Sequence, residues 1–290
     1  MAIVMTAEEG ELESPQRFRR VPIGPLLLRV SLVAALLYLG LPLLATLLFS
    51  LATVWSRTIL PEGYTLDWYR AAIADPLFAP TASRTLQATI GAAIISPLLV
   101  VPALLAVHLR APRFKPWLEF LSIIPWALPG VVLALAMIRA YVGPYNVNRV
   151  LLLILTYVLL SLPFMFRSID ASLTSIDAHT LSEAAQMLGA GWFDIGRRVL
   201  LPGIMPGLMS GILLIAALGA GEYALASLLA GSGWKTFPIY QAQAQNVDGR
   251  VASALAIIGL IYVMIVSLSL LYIAGRRRGG AGPGMPVANK

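Results

Sequence analysis

Thr180-Leu181-Ser182-Glu183-Ala184-Ala185-Gln186-Met187-Leu188-Gly189-Ala190-Gly191-Trp192-Phe193-Asp194-Ile195-Gly196-Arg197-Arg198-Val199-Leu200-Leu201-Pro202 is a polar island set between two apolar runs. Local chemistry predicts two short helices and a break. Thr180 and Glu183 stand in the capping-box relation, in which each side chain satisfies the other's free backbone donor. Leu181 to Leu188 are good helix formers apart from Ser182. Gly189 suits the left-handed residue that ends a helix. A second helix is predicted from Trp192 to Leu201, stopping before Pro202. Asp194 near its start and Arg197 and Arg198 near its end suit the helix dipole. Ala184 and Ala185 give the first helix a smooth side that another protein can approach closely.

Outward from this island the chain is largely apolar. Of its 290 residues, 58% are hydrophobic and 12% charged, and the mean hydropathy is +0.81. Soluble domains carry about 25% charged residues, so bilayer is the natural solvent. A helix needs roughly 20 mainly apolar residues to cross the ~30 Å hydrocarbon core. Six segments meet that length: Pro25 to Val54, Leu86 to Leu109, Trp117 to Val142, Val150 to Phe166, Gly207 to Ala230 and Val251 to Ala274. The expected fold class is therefore an all-α integral membrane bundle of six transmembrane helices. Residues 1–24 form an N-terminal tail, 25–275 the membrane domain with a polar loop at about 168–205, and 276–290 a basic C-terminal tail. Glu8, Glu9, Glu11 and Glu13 precede Arg17, Arg19 and Arg20, which is no secretory signal pattern, and the first helix is expected to be retained.

Lys and Arg near the helix ends set the orientation. With the N-terminus inside, one side holds Arg17, Arg19, Arg20, Arg110, Arg113, Lys115, Arg167, Arg197, Arg198, Arg276, Arg277, Arg278 and Lys290. The other holds Arg57, Arg70, Arg84, Arg139, Arg149, Lys235 and Arg250. This excess of roughly two to one predicts both termini, and the polar island, in the cytoplasm.

Proline recurs within the spans. Pro125 and Pro129 bracket Trp126-Ala127-Leu128 and precede Gly130. Such a cluster suits a broken helix lining a pathway, or an ordinary packing kink. Gly207, Gly211, Gly219 and Gly221 fit a helix central to a bundle or at a subunit interface. Glu222, followed by Tyr223, is the one acidic residue clearly within a predicted span. Charge there costs about 2.5–3.5 kcal/mol on insertion scales. It either faces a translocation pathway or pairs with a buried polar group. The segments Gly231 to Gly249, with Trp234, Phe237 and Tyr240, and Arg57 to Ser83 are candidates for contact with an extracytoplasmic protein, or for interfacial anchoring.

Several classes are excluded. There is no cysteine, hence no disulfide or thiolate metal site, and His108 and His179 lie far apart. No catalytic residues and no metal site are identified. The net charge of +7 sits in short clusters beside apolar runs, which speaks against nucleic acid. No phosphate-binding G-x-x-x-x-G-K-[ST] motif is present, and in Gly231-Ser-Gly-Trp-Lys235-Thr236 the lysine does not follow glycine. An ion-coupled secondary transporter calls for inverted repeats and several intramembrane acids, and only Glu222 is available. An intramembrane enzyme calls for a nucleophile and base that are not evident.

Glu183-Ala184-Ala185, three residues, Gly189, nine residues, then Val199-Leu200-Leu201-Pro202 resembles the EAA loop of ABC importer permeases, with valine in place of isoleucine as the single departure. The resemblance implies a six-helix permease whose loop forms a coupling helix seated in a groove of a separate ATPase subunit. The residues it assigns to coupling are Glu183, Ala184, Ala185, Gly189 and Pro202. It implies no cofactor on this chain, with ATP and Mg used by the partner. It also implies an ABC ATPase dimer, a second permease subunit (identical or different), an extracytoplasmic substrate-binding protein and membrane lipid as partners. Pro125, Pro129, Glu222 and Tyr223 are the candidate pathway residues. Ile123-Ile-Pro-Trp-Ala-Leu-Pro-Gly130 and the run after Glu222 look most like the polyamine, iron(III), phosphonate and thiamine group, with sugar permeases as the alternative.

Overall fold

The computed structural model describes residues 25–278 apart from Arg57. The expected tails, with Arg17, Arg19, Arg20 and Lys290, lie outside the described residues. The described residues are almost wholly helical, with one isolated β-bridge, Ala52 to Tyr64.

Helix α1 (Pro25–Leu51) is Leu-, Val- and Ala-rich all round, and its first part, to Ala45, is a compact unit of its own. A helix apolar on every face belongs in lipid. The remainder of the chain forms a second unit. It begins at Thr46 with the last turns of α1, followed by α2 (Asp67–Ala74) and α3 (Phe78–Arg110). Helix α3 starts eight residues before the predicted Leu86. Pro80 falls in its first turn, where no backbone donor is needed, and the Asp75 carboxylate accepts from Leu77 N at 2.7 Å just ahead of it.

The third predicted span is two helices, α4 (Lys115–Ala127) and α5 (Gly130–Met137), bent by 98°. A π-helical turn (Ile138–Val142) follows α5. Helix α6 (Arg149–Ser175) opens on Asn148, whose side chain accepts from Val150 N and Leu151 N, and runs nine residues beyond the predicted Phe166. Its last turns are polar, with the Ser172 hydroxyl bonding back to Ser168 O and Thr174 to Asp170 O. A hydropathy boundary marks where the chain leaves the lipid, not where the helix ends.

Then come α7 (Ala178–Met187), a helical turn at Trp192–Asp194, a π-helical turn (Ile195–Leu200) and α8 (Leu201–Gly221). Helix α9 (Ala224–Leu229), α10 (Phe237–Gln245) and α11 (Gly249–Arg278) complete the unit. Among the described residues five helices are long and apolar enough to span a membrane, and the bent α4–α5 pair makes a sixth when it is taken as one broken span. Counted so, the spans correspond to the six segments read from the sequence, the third of them broken.

Helix α6 is the centre, packed against α3, α4 and α8. Glycine makes this approach: a Cβ on Gly207 would overlap Ser168 O and the Ser172 hydroxyl, and one on Gly211 would meet the Met165 sulfur. Further along α8, Gly219 leaves room for the Thr89 hydroxyl of α3. The small-residue pattern thus marks a helix buried between two others. Leu104, Leu152, Leu153, Tyr157, Ile169, Leu173, Leu200, Ile204 and Ile215 fill the core.

Candidate functional site

Two places in this fold carry the sequence-predicted residues: the α7 loop and a pair of broken helices.

The loop opens differently from the capping-box expectation. Asp177, with φ 46°, is the residue ahead of α7, and its carboxylate accepts from Thr180 N at 3.5 Å. Thr180 lies inside the helix. Glu183 is therefore released from capping; it is exposed and pairs with the His179 ring across one turn at 3.5 Å. Ala184 is exposed, whereas Ala185 packs inward on the chain's own core. Only Ala184 is free for another protein, so the smooth side is half as wide as the sequence suggested.

The end of α7 is closed as the glycine predicted. Gly189 has φ +83°. Its N–H donates to Gln186 O at 2.9 Å, and Ala190 N–H donates to Ala185 O at 3.0 Å. This nested pair is the Schellman closure, with Ala185 and Ala190 both in contact with the core. The closure turns the chain sharply and leaves Met187 and Leu188 at 89% and 88% exposed. Phe193, just beyond, is 76% exposed. These three large apolar side chains crown a polar loop.

Pro202 does not end a helix. The π-helical turn carries the chain into α8, so Trp192 to Gly221 runs as one 30-residue helix. Leu201 N bonds to Gly196 O, five residues back. Pro202, lacking an N–H, occupies the point where the ladder returns to its ordinary register. Ile195 and Leu200 of the π turn are fully buried, and α7 packs against this turn. The loop is therefore fastened to the foot of α8.

At the other end of α8 lies the first helix break. Glu222 is extended (ψ 101°), and its carboxylate accepts from Leu225 N at 2.9 Å. It caps the start of α9. Among the described residues the Glu222 carboxylate makes this local hydrogen bond and no ion pair. Tyr157 of α6, itself buried, points its hydroxyl at Glu222 O, 3.5 Å away. The second break is Leu128-Pro129 between α4 and α5, both residues extended (ψ 136° and 132°). Pro125 lies inside α4; Pro129 starts α5. The breaks are brought together, because α5 packs on α9 and Gly130 faces Leu225 closely enough that a Cβ there would touch the leucine side chain at 3.6 Å. Trp126 stands edge-on to Phe164 at 5.6 Å, and Tyr223 is half exposed. Proline at one break and a carboxylate cap at the other deal with the freed backbone groups, as membrane-embedded breaks require.

Beneath the bundle, Lys115 and Asp170 pair at 2.7 Å and His108 lies 3.5 Å from the same carboxylate oxygen, joining the ends of α3, α4 and α6. No group of His, Asp and Glu suited to a metal occurs among the described residues.

A family model described as "Binding-protein-dependent transport system inner membrane component" matches residues 98–278, which include both the loop and the breaks. The chain belongs to this family.

Among the permease's relatives is a Salmonella typhimurium protein named "Putative 2-aminoethylphosphonate transport system permease protein PhnV". It is 30% identical over 258 residues, covering 85% of this chain and 93% of that one. The spermidine/putrescine transport system permease protein PotC of Escherichia coli is 25% identical over 265 residues, covering 90% and 98%. A solved bacterial ABC transporter for import of the acidic polysaccharide alginate matches with a TM-score of 0.66. The identity there is 20%, and the match covers 89% of this chain and 99% of that one. The permease is thus an inner-membrane component of an ABC-type import system, and its fold is that of such permeases.

Sequence reasoning missed Met187, Leu188 and Phe193, since apolar residues beside a membrane span draw no notice; the signal was the Gly189 turn that turns them outward. It missed Tyr157 because a tyrosine in an apolar run reads as core. Phe237 and Tyr240, candidate outer contacts, are buried against α3 and α11. Of that segment, Gly233, Gln243, Gln245, Asn246, Val247 and Gly249 are exposed among the described residues.

Proposed function

We propose that the permease forms the translocation pathway of an ABC importer and that α7 seats in a separate ATPase subunit. The carrying observation is the exposed crown of Met187, Leu188 and Phe193, held by the Gly189 closure beside Glu183 and Ala184. Exposed large apolar clusters mark partner sites. The apolar crown fits a protein groove, and the capped helix is rigid enough to take a push.

The force path is short. When two ATPase subunits close on ATP and Mg, α7 moves, and its packing on the π turn carries the displacement into the Trp192–Gly221 helix. That helix is 30 residues and about 45 Å long. Its far end is the Glu222 break, packed through α9 on the Pro129 break. Movement at the loop therefore shifts the place where the backbone is already broken. Pro125, Pro129, Glu222 and Tyr223, with Trp126 and Tyr157, form the pathway region. A second permease subunit completes the enclosure, and ATP hydrolysis belongs to the partner. The loop and both termini lie in the cytoplasm, in agreement with the Lys and Arg bias. The exposed 243–247 tip serves the substrate-binding protein on the other side.

The cargo is a small polar solute of the polyamine, phosphonate or iron(III) type. The relatives' names favour an amine-bearing one, since 2-aminoethylphosphonate, spermidine and putrescine all carry a primary amine. The test replaces the crown with charge. Met187→Asp with Leu188→Asp should leave membrane insertion intact, abolish co-purification of the ATPase and stop ATP-driven uptake. Retained assembly and uptake would refute the coupling assignment.

A further inference from the structure

Between the end of α3 and the π turn lies a groove of about 210 Å³ that the coupling account does not use. Its walls are Leu105, Ala106 and Leu109 on one side and Ile195, Gly196 and Leu200 on the other, with Arg110 and Trp192 at its mouth. The Arg110 guanidinium stacks over the Trp192 indole at 4.3 Å. We propose that this groove binds an anionic phospholipid, with the phosphate at Arg110 and an acyl chain along Leu105, Leu109 and Leu200; the proposal takes from the coupling reading only that this end of the molecule faces the cytoplasm.

Charge supports that occupant. Lys115, Arg167 and Arg198 at this end are each paired with a carboxylate, Asp170, Glu119 and Asp194. Arg110 makes no ion pair among the described residues; its contact is an aromatic face, which leaves its in-plane donors for an anion. Arg197, next to Gly196, likewise has no ion pair among the described residues. Leu105 and Leu109 also form the apolar end of α3, a helix whose length and composition suit a membrane span. Tryptophan and arginine at a helix end are where headgroups lie, and the cytoplasmic leaflet is the anionic one.

The position gives the lipid a consequence. The groove separates α3 from the turn that joins α7 to α8, so a bound chain fills the gap across which the loop must move. Anionic lipid then sets the stiffness of the coupling unit.

The test counts lipids on the assembled transporter, extracted from membranes of equal phosphatidylglycerol and phosphatidylcholine and examined by native mass spectrometry. The wild type should retain phosphatidylglycerol over phosphatidylcholine. Arg110→Gln should lower that retention about fivefold, the effect of one surface cation on an anionic lipid. Gly196→Leu should also lose the lipid while keeping the arginine, because a Cβ at Gly196 meets nothing within 4 Å and the longer side chain fills the groove. Arg70→Gln, on the opposite side of the membrane, should change nothing. Equal retention of the two lipids by the wild type, or wild-type retention by Gly196→Leu, overturns the proposal, and the second variant decides the matter if Arg110→Gln fails to assemble. The count needs no ATP and no uptake, so its failure is separate from any failure of coupling.

Discussion

Replacing Gly189 tests the loop by backbone geometry alone. Its φ of +83° is left-handed, and a Cβ built there meets no atom within 4 Å. Side-chain size therefore has nothing to clash with, and the only cost is conformational. An L-residue in the left-handed region costs about 1–2 kcal/mol, less for asparagine and more for a β-branched residue. The strain has one local outlet, release of the Gly189 and Ala190 N–H bonds that close α7. The ratio of closed to frayed loop should fall by about five- to thirtyfold for alanine. The assay is ATP-driven uptake by proteoliposomes holding the permease, its ATPase and binding protein, beside thermal melting of the bundle. Uptake should fall in the order Gly189, Gly189→Asn, Gly189→Ala, Gly189→Val, with melting unchanged. A valine variant equal to wild type, or an order that follows size or polarity, would refute the reasoning.

Three further outcomes follow from contacts at other points of the bundle. Gly207→Leu should prevent stable assembly, because its Cβ overlaps the backbone oxygen of Ser168, whereas Gly40→Leu, with open space, should melt as wild type. Glu222→Gln should keep uptake, since its amide oxygen still accepts from Leu225 N, while Glu222→Ala should lose about 1 kcal/mol of helix cap and uptake with it; loss in both variants would point instead to contact between the charge and the cargo. Hydrogen bonding to the Arg250 guanidinium holds the Asp248 carboxyl below its usual range. A depressed acid contributes stability that is complete above its unfolded pKa and is lost as pH falls through the folded one. Wild type should therefore lose more melting temperature than Asp248→Asn when pH is lowered from about 7 to below about 4.

The spans were legible because length and apolarity are one-dimensional properties. Their ends were less so: α6 continues through Arg167 to Ser175, where serine and threonine bond back to the helix and hydropathy falls silent. The break at Pro129 was readable, since two prolines and a glycine leave few alternatives. The break at Glu222 was not, because a single acid in an apolar run looks the same whether it faces a cavity, pairs across helices or caps its own chain. Gly189 announced the left-handed turn. The capping box did not form because Asp177 supplies the cap three residues before Thr180, and a side chain competing for one donor cannot be ranked from spacing alone. Pro202 was misread as a stop, since only the π turn before it shows how a helix absorbs a missing donor.

The most direct measurement of the central claim places a single cysteine at the crown. The chain has no cysteine of its own, so Leu188→Cys gives one reactive site on α7. In membranes holding the complete transporter, a short thiol-to-amine cross-linker should join Leu188→Cys to the ATPase subunit. The yield should change between the nucleotide-free and ATP-bound states, while a cysteine at Val247 should join only proteins on the opposite side. Absence of any ATPase adduct at position 188, with full uptake by the same variant, would contradict the account.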